Sequence, residues 1–477
     1  MSQELAGLKA AEIARLVRTR AVSPVEIVQA SLARIDASQA SINSFITVCH
    51  DQALVAAREA EVQVMRGGAL PPLLGVPFSA KDMISTAGVR TTLGSRVLED
   101  NVPSEDAVVV TRLKKAGAIL VGKTTTPEFA HSCVTTAPLY GITRNPWDLS
   151  RTPGGSSGGA GASVAAGLTP LALATDSGGS TRIPAACTGV VGFKQTQGLV
   201  PDESTRDAFG TIVFVNPVTR DIQDSALLLD AVSGPHPWDP FSLLALPKAL
   251  SPMAAPQGDL RGVRVGWMPR THGERVDEEV MQSCETALQR LVSLGAIVEE
   301  LRDPPGRYGH VWGIIQNGYR KGRYGPYVAS AREKIGESFL NVLESGAMVT
   351  AEDVTAAMFE RANLFRHVQG WFDRYDVVIS PTFTRTALAC DHRAGQDPVT
   401  IDGQDAGLAQ EAWFPSLGLY NLTGHPAVSI PCGWARDGLP MAFQAAARWG
   451  DDGLLVRLAA LYEVADPTAR RAPPALC

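Results

Sequence analysis

Apolar positions in the first 65 or so residues recur at helical spacing. Ser23-Pro24-Val25-Glu26 is a start signal: a serine cap, proline at the first helical position, and a glutamate that closes a capping box. Val25, Ile27, Val28, Leu32 and Ile35 follow at roughly the helical repeat, and residues 51–65 predict a second, alanine-rich amphipathic helix. From about Pro71 the rhythm changes. Short apolar runs at 74–78, 119–121, 171–174 and 190–193 predict strands, and they alternate with helices predicted over 106–116 and 158–166. A further strand begins at 263–267, a long helix follows over 278–294, and 306–372 reads as mostly helical and rich in aromatics. Strands return at 376–380, 427–430 and 441–445. The pattern predicts an α/β fold: one large mixed β-sheet covered by helices on both faces, with N-terminal helices and a helical insertion.

At 477 residues the chain exceeds the usual single-domain length. The pattern divides it into an N-terminal helical region over 1–70 that packs on or pairs with the core, a core over 71–235 holding the candidate chemical residues, a largely helical region over 236–375, and the C-terminal part of the core sheet over 376–477. Pro- and Gly-rich text at 235–258 reads as a surface loop. A formal charge of −6 with no basic block argues against nucleic acid as a partner. Seven scattered cysteines (Cys49, Cys133, Cys187, Cys284, Cys390, Cys432, Cys477), with no C-x-x-C pair, fit a reducing compartment better than a disulfide framework or a zinc site. Met1-Ser2-Gln3-Glu4 opens no signal peptide, and no run of 18 apolar residues predicts a membrane span, so the expected location is cytoplasmic.

The chemistry concentrates in three short texts. Thr152-Pro153-Gly154-Gly155-Ser156-Ser157-Gly158-Gly159 is a run of small residues within ordered α/β text. It is not a phosphate loop, because no Lys-Ser/Thr pair ends it. Gly154-Gly155-Ser156-Ser157-Gly158 does satisfy the G-x-S-x-G elbow, but polar residues 143–151 precede it where that motif needs an apolar strand. An α/β-hydrolase-type esterase using Ser156 with His425 is therefore an alternative of the wrong context. The second text, Asp176-Ser177-Gly178-Gly179-Ser180-Thr181-Arg182, follows the strand at 171–174 directly. Ser180 then stands past a strand's carboxyl end, where reacting groups cluster, and unobstructed glycine N–H groups suit an oxyanion hole. The bland reading is a glycine turn whose serine caps the next helix. The third is Lys81 with Asp82, either a solvated pair or a lysine ending a buried strand, where burial makes it a base near neutral pH.

Together these texts resemble the amidase signature hydrolases. The two serine blocks stand 24 residues apart between Ser156 and Ser180, as in that family, and Gly75-Val76-Pro77 with Lys81-Asp82 is similar to its lysine motif. Val121-Gly122-Lys123-Thr124, Asn145-Pro146-Trp147, Ser380-Pro381-Thr382, residues 421–427 and Gly438-Leu439-Pro440 with Gln444 extend the likeness over nearly the whole chain, thinnest from about 236 to 375.

The resemblance implies a catalytic set of Lys81, Ser156 and Ser180. Ser180 is then the acylated nucleophile, and Ser156, preceded by a cis peptide bond, relays protons between it and neutral Lys81. N–H groups of Ser177, Gly178, Gly179 and Ser180 form the implied oxyanion hole, and Asp176, Arg182 and Ser157 brace the loop. No metal or organic cofactor is implied. Pocket candidates are His131, Cys133, Thr135, Trp312, Tyr319, Trp413 and Phe414, whose aromatics suit an apolar or aryl group, although core positions are the bland alternative.

The implied function is hydrolysis of the C–N bond of a small or aryl carboxamide, with carbamates or esters on the same machinery. The partner is then a small-molecule amide, with no nucleic acid and no membrane, and the candidate assembly is a homodimer. An alternative is the glutaminase subunit of an aminoacyl-tRNA amidotransferase. That subunit carries text resembling Ser-Leu-Asp-Gln-Ile-Gly-Pro where this chain has Thr211-Ile212-Val213-Phe214-Val215-Asn216-Pro217. A non-catalytic binding protein is a third class, disfavoured by the presence of all three chemical residues.

Overall fold

Ser23 and Glu26 close the reciprocal cap the sequence predicts. The Val25 N–H donates to Ser23 Oγ at 3.0 Å and the Ser23 N–H to Glu26 Oε2 at 2.9 Å. The cap starts the helix Pro24–Ile42, whose Ile27, Val28, Leu32 and Ile35 are buried. The computed structural model describes residue 5 and residues 7–203, 207–244 and 249–467, apart from the Leu244 side chain. Met1 to Glu4 and Cys477 lie outside the described residues.

Eleven strands form one mixed sheet. In chain order they are β1 (Phe45–Val48), β2 (Pro77–Lys81), β3 (Ile119–Thr124), β4 (Leu171–Asp176), β5 (Val191–Lys194), β6 (Phe214–Thr219), β7 (Arg264–Trp267), β8 (Ile297–Glu300), β9 (Val377–Pro381), β10 (Ala427–Trp434) and β11 (Pro440–Ala447). Across the sheet they run β1-β3-β2-β4-β6-β5-β10-β11-β9-β7-β8. Fourteen α-helices are described around it, giving the α/β architecture the apolar pattern implies. The inner strands are apolar runs buried on both sides, as a sheet covered on two faces requires.

Three strands escape the pattern, each for a physical reason. β1 is four residues long and antiparallel at an edge. β6 carries Pro217, a residue that argues against an inner strand, although it lies between β4 and β5 opposite Leu173. β8 is an edge strand whose residues are mostly exposed.

Two features of this topology place the chemistry. β2 and β4 are parallel neighbours, with Phe78 opposite Leu171 and Ala80 opposite Leu173, so Lys81 and Thr175 emerge at the same end of the sheet. Between β8 and β9 the chain makes three helices, Gly309–Ala331, Glu337–Ala347 and Ala351–Trp371. Phe129, Tyr324, Ile335, Phe339 and Leu343 form a buried cluster that docks the first two of these beside the β3 end of the sheet. Ring centroids of Phe129 lie 4.4 Å from Tyr324 and 4.8 Å from Phe339. Residues 236–375 thus supply two strands as well as the helices.

Candidate active site

Lys81 is the last residue of β2 and is fully buried. Its Nζ lies 2.6 Å from Ser156 Oγ, 2.9 Å from Ser157 Oγ and 2.8 Å from Thr175 Oγ1. Burial pulls the amine down to about 7, against which the Asp176 charge acts in the opposite direction. Asp82 is no solvated partner for it. That carboxylate is buried and accepts from the Thr92 N–H at 2.9 Å and the Thr92 hydroxyl at 2.5 Å.

The Gly-Ser run ends in a helix, Gly158–Ala165, whose first residues are buried. The Gly155–Ser156 peptide bond is cis, as the resemblance implies. Ser157 ties this loop to β4 by donating to the Thr175 carbonyl at 3.1 Å. Its N–H donates to the Ser180 carbonyl at 3.2 Å, so the two serine blocks share a backbone bond. Ser180 is half-buried, and its hydroxyl makes no hydrogen bond among the described residues.

An ion pair organises the second block. The Asp176 carboxylate accepts from Arg182 Nε at 3.0 Å, with both side chains fully buried. Burial alone would raise this carboxyl, but the Arg182 guanidinium and N–H donors from Gly179 and Thr181 hold it at about 2. Arg182 also donates to Gln444 Oε1 at 2.5 Å and Asn421 Oδ1 at 2.6 Å, linking the loop to β11 and to the helix Leu417–Thr423. This changes one oxyanion expectation. The Gly179 N–H donates to Asp176 Oδ1 at 2.6 Å, so it braces the turn. The N–H groups of Ser177, Gly178 and Ser180 have no partner among the described residues. Gly179 sits at φ +114°, and a Cβ there would meet Leu417 at 2.6 Å, so the turn needs glycine on both counts.

Two cavities meet over this loop. One is lined by Ser156, Thr175, Ser177, Tyr319 and Tyr324, the other by Ser177, Gly178, Ser180, Cys133, Trp312 and Phe414. The Trp312 indole N–H donates to the Ser177 carbonyl at 2.6 Å, and the ring lies against Gly178. His131 lines the second cavity, held between the Glu128 carbonyl at 2.7 Å and Ser338 Oγ at 2.8 Å. Two expected wall residues are elsewhere. Thr135 is buried and donates to the Gly154 carbonyl at 2.7 Å, bracing the serine loop. Trp413 is fully buried against Phe383 and donates to the Arg385 carbonyl at 3.0 Å; its neighbour Phe414 takes the cavity side.

His425 is also remote from Ser156. Its ring nitrogens contact Thr423 Oγ1 at 3.0 Å and Gln369 Oε1 at 2.8 Å, and burial pulls it down to about 3. Residues the sequence reading missed are Thr175, Gln316 and Arg320. Thr175 directly precedes Asp176, and Gln316 and Arg320 follow Trp312 at four-residue helical spacing, which was the available signal.

A family model described as Amidase matches residues 26–456. The chain belongs to the amidase family. The amidase is therefore a hydrolase acting on C–N amide bonds. It is 35% identical over 480 residues to an acylamidase of Rhodococcus erythropolis, covering 99% of this chain and 98% of that one. It is 34% identical to a glutamyl-tRNA(Gln) amidotransferase subunit of Geobacillus kaustophilus, covering 97% of this chain and 98% of the relative. Among solved structures it superposes on a bacterial aryl acylamidase of the amidase signature enzymes with a TM-score of 0.89 and 28% identity, covering 97% and 96% of the two chains. No helix among the described residues of the amidase is long and apolar enough to cross a membrane.

Proposed function

We propose that the amidase cleaves small or aryl carboxamides through an acyl-enzyme on Ser180, with protons relayed by Ser156 and Lys81. The observation that carries this reading is the fully buried Lys81 amine, 2.6 Å from Ser156 Oγ at the end of β2. Ser180 Oγ attacks the amide carbonyl carbon as its proton passes to Ser156, whose own proton passes to the neutral Lys81 amine. The C–O bond to Ser180 forms, the carbonyl π pair moves to oxygen, and the resulting oxyanion takes N–H groups of Ser177, Gly178 and Ser180. Each such donor is worth about 3 kcal/mol in the transition state. The relay then reverses. Lys81 returns its proton through Ser156 to the leaving nitrogen as the C–N bond breaks, and water repeats the sequence against the acyl-enzyme. The second link of the proposed relay is a Ser180 hydroxyl turned toward Ser156.

Asp176 and Arg182 act as positioning residues, since they touch the loops and not the reacting atoms, and Ser157 holds the Lys81 amine, 2.9 Å from its Oγ, in place beside Ser156. Trp312, Phe414 and Tyr319 supply aromatic walls for an aryl group. The acylamidase and aryl acylamidase relatives support the same substrate class.

Replacing Ser180 by alanine tests the nucleophile. Turnover of an anilide should fall by at least about 10⁴-fold while the melting temperature holds. A fluorophosphonate adduct mapped by mass spectrometry should sit on Ser180, and an adduct on Ser156 would overturn the assignment. The similarity to amidotransferase subunits favours a second reading, glutamine hydrolysis within a complex. Ammonia release from glutamine by the isolated chain, with anilides untouched, would decide for it.

A further inference from the structure

Arg320 is the one guanidinium lining both cavities at the serine loop, and it is 7% exposed. Among the described residues it has no hydrogen bond and no carboxylate partner. Its carbon lies 5.6 Å from the Trp312 ring centroid, and the phenol of Tyr324 is near. His131, close enough to feel its charge, is pulled down by burial to about 4 and is neutral at pH 7. Arg320 itself is pulled down to about 10 by burial and remains charged there. Of the acidic residues on the cavity, Glu203 accepts the Val108 N–H at 2.9 Å, and the Asp202 charge acts on Arg323.

One turn before Arg320 on the same helix stands Gln316, 4% exposed, whose Nε2 is also buried without a partner. A buried cation without a counter-charge is unfavourable, as is a buried amide donor without an acceptor. Here both unsatisfied groups are donors, they are four residues apart on one helical face, and both line the cavity that contains Ser156. An acceptor-only, planar, anionic group satisfies both, and a carboxylate is that group.

Resting on the reading that these cavities receive the scissile amide, we propose that Arg320 and Gln316 form a carboxylate subsite, so that the preferred substrates are amides carrying a carboxylate a few atoms from the C–N bond. The carboxylate sits on either the acyl or the amine side, and the two sources are separable with simple probes. Succinic acid monoanilide carries it on the acyl side, with butyranilide as its neutral counterpart. 4-Acetamidobenzoate carries it on the amine side, with its methyl ester as the neutral counterpart.

Binding is measured by calorimetry on the Ser180→Ala enzyme, which needs no turnover, and kcat/KM on the otherwise unaltered enzyme. At least one carboxylated probe should bind about 10- to 100-fold more tightly than its counterpart, the range of a charge-assisted bond. Arg320→Gln should bring that ratio close to one, and Arg320→Lys should keep part of it. Arg320→Met should also melt at a higher temperature, because it removes an uncompensated buried charge. The proposal is overturned if neither carboxylated probe is preferred, or if the preference survives Arg320→Gln. A chain that binds carboxylated amides but turns over none retains the subsite and loses the hydrolytic reading instead.

Discussion

Lys81 owes its chemistry to where its amine ends. On a solvated surface the group would hold its proton far above neutral pH; enclosed at the end of β2 it is pulled down to about 7. The neutral amine is the working form in the proposed relay, so protonation shuts the relay down. The pH profile of kcat/KM should therefore rise about tenfold per pH unit on its acid side and level off above about 7. Lys81→Ala should lower amide hydrolysis far more than hydrolysis of activated esters, whose leaving groups need no proton. Equal losses on both would remove the leaving-group role. Stability carries the same signature. Between pH 7 and the ordinary 10.5 the unfolded chain binds the Lys81 proton and the folded chain does not, so this residue makes stability rise with pH across that window. In Lys81→Met that slope should flatten, as urea titrations from pH 7 to 10 can measure.

At the scale of elements, the turn from β4 into the helix Arg182–Thr188 is held from inside by Asp176 and Arg182. Removing one charge strands the other in a dry interior. Asp176→Asn should cost about 3–5 kcal/mol in denaturant unfolding, with activity lost alongside. The carboxylate contributes stability above its ordinary 3.8, and that contribution disappears as pH falls from there toward about 2. Gly178 shows the other constraint on this turn. A Cβ there would stand 2.8 Å from the Trp312 ring, so Gly178→Ala must displace that ring and strain its hydrogen bond to the Ser177 carbonyl. Such overpacking costs typically about 1–3 kcal/mol of stability, and because the displaced ring braces the oxyanion loop, kcat/KM for anilides should drop. Unchanged kinetics would show that the Trp312 ring yields freely.

Over the whole molecule, the cavity is shared between a sheet and helices inserted more than a hundred residues later in the chain. Phe129, next to the end of β3, clamps that insertion through Tyr324 and Phe339. Phe339→Ala should cost about 3–5 kcal/mol and loosen the helix Glu337–Ala347 first. Limited proteolysis should then cut within 309–371 before the sheet unfolds, with KM raised more than kcat is lowered. Simultaneous loss of all regions would mean that the helices fold only as one unit with the core.

The readable and unreadable parts of this protein divide by distance along the chain. Contiguous text determined the capped helix at Ser23, the α/β alternation, and the two serine blocks with their lysine, because caps, strand runs and glycine turns are local physics. Burial of Lys81 was legible too, since the apolar residues ahead of it mark a strand inside a sheet. The walls of the cavity were not. Trp413 and Phe414 are adjacent and equally aromatic, and only packing sends one into the core and the other to the cavity. Thr135 is a brace and not a wall, because its partner carbonyl, Gly154, arrives from another segment. Pro217 hid a strand that its neighbours in the sheet nevertheless complete. Arg320 and Gln316 read as ordinary polar helix positions until folding brings them, without partners, to the serines: whether a polar group is satisfied depends on what surrounds it in space, and that is settled only when the chain closes on itself.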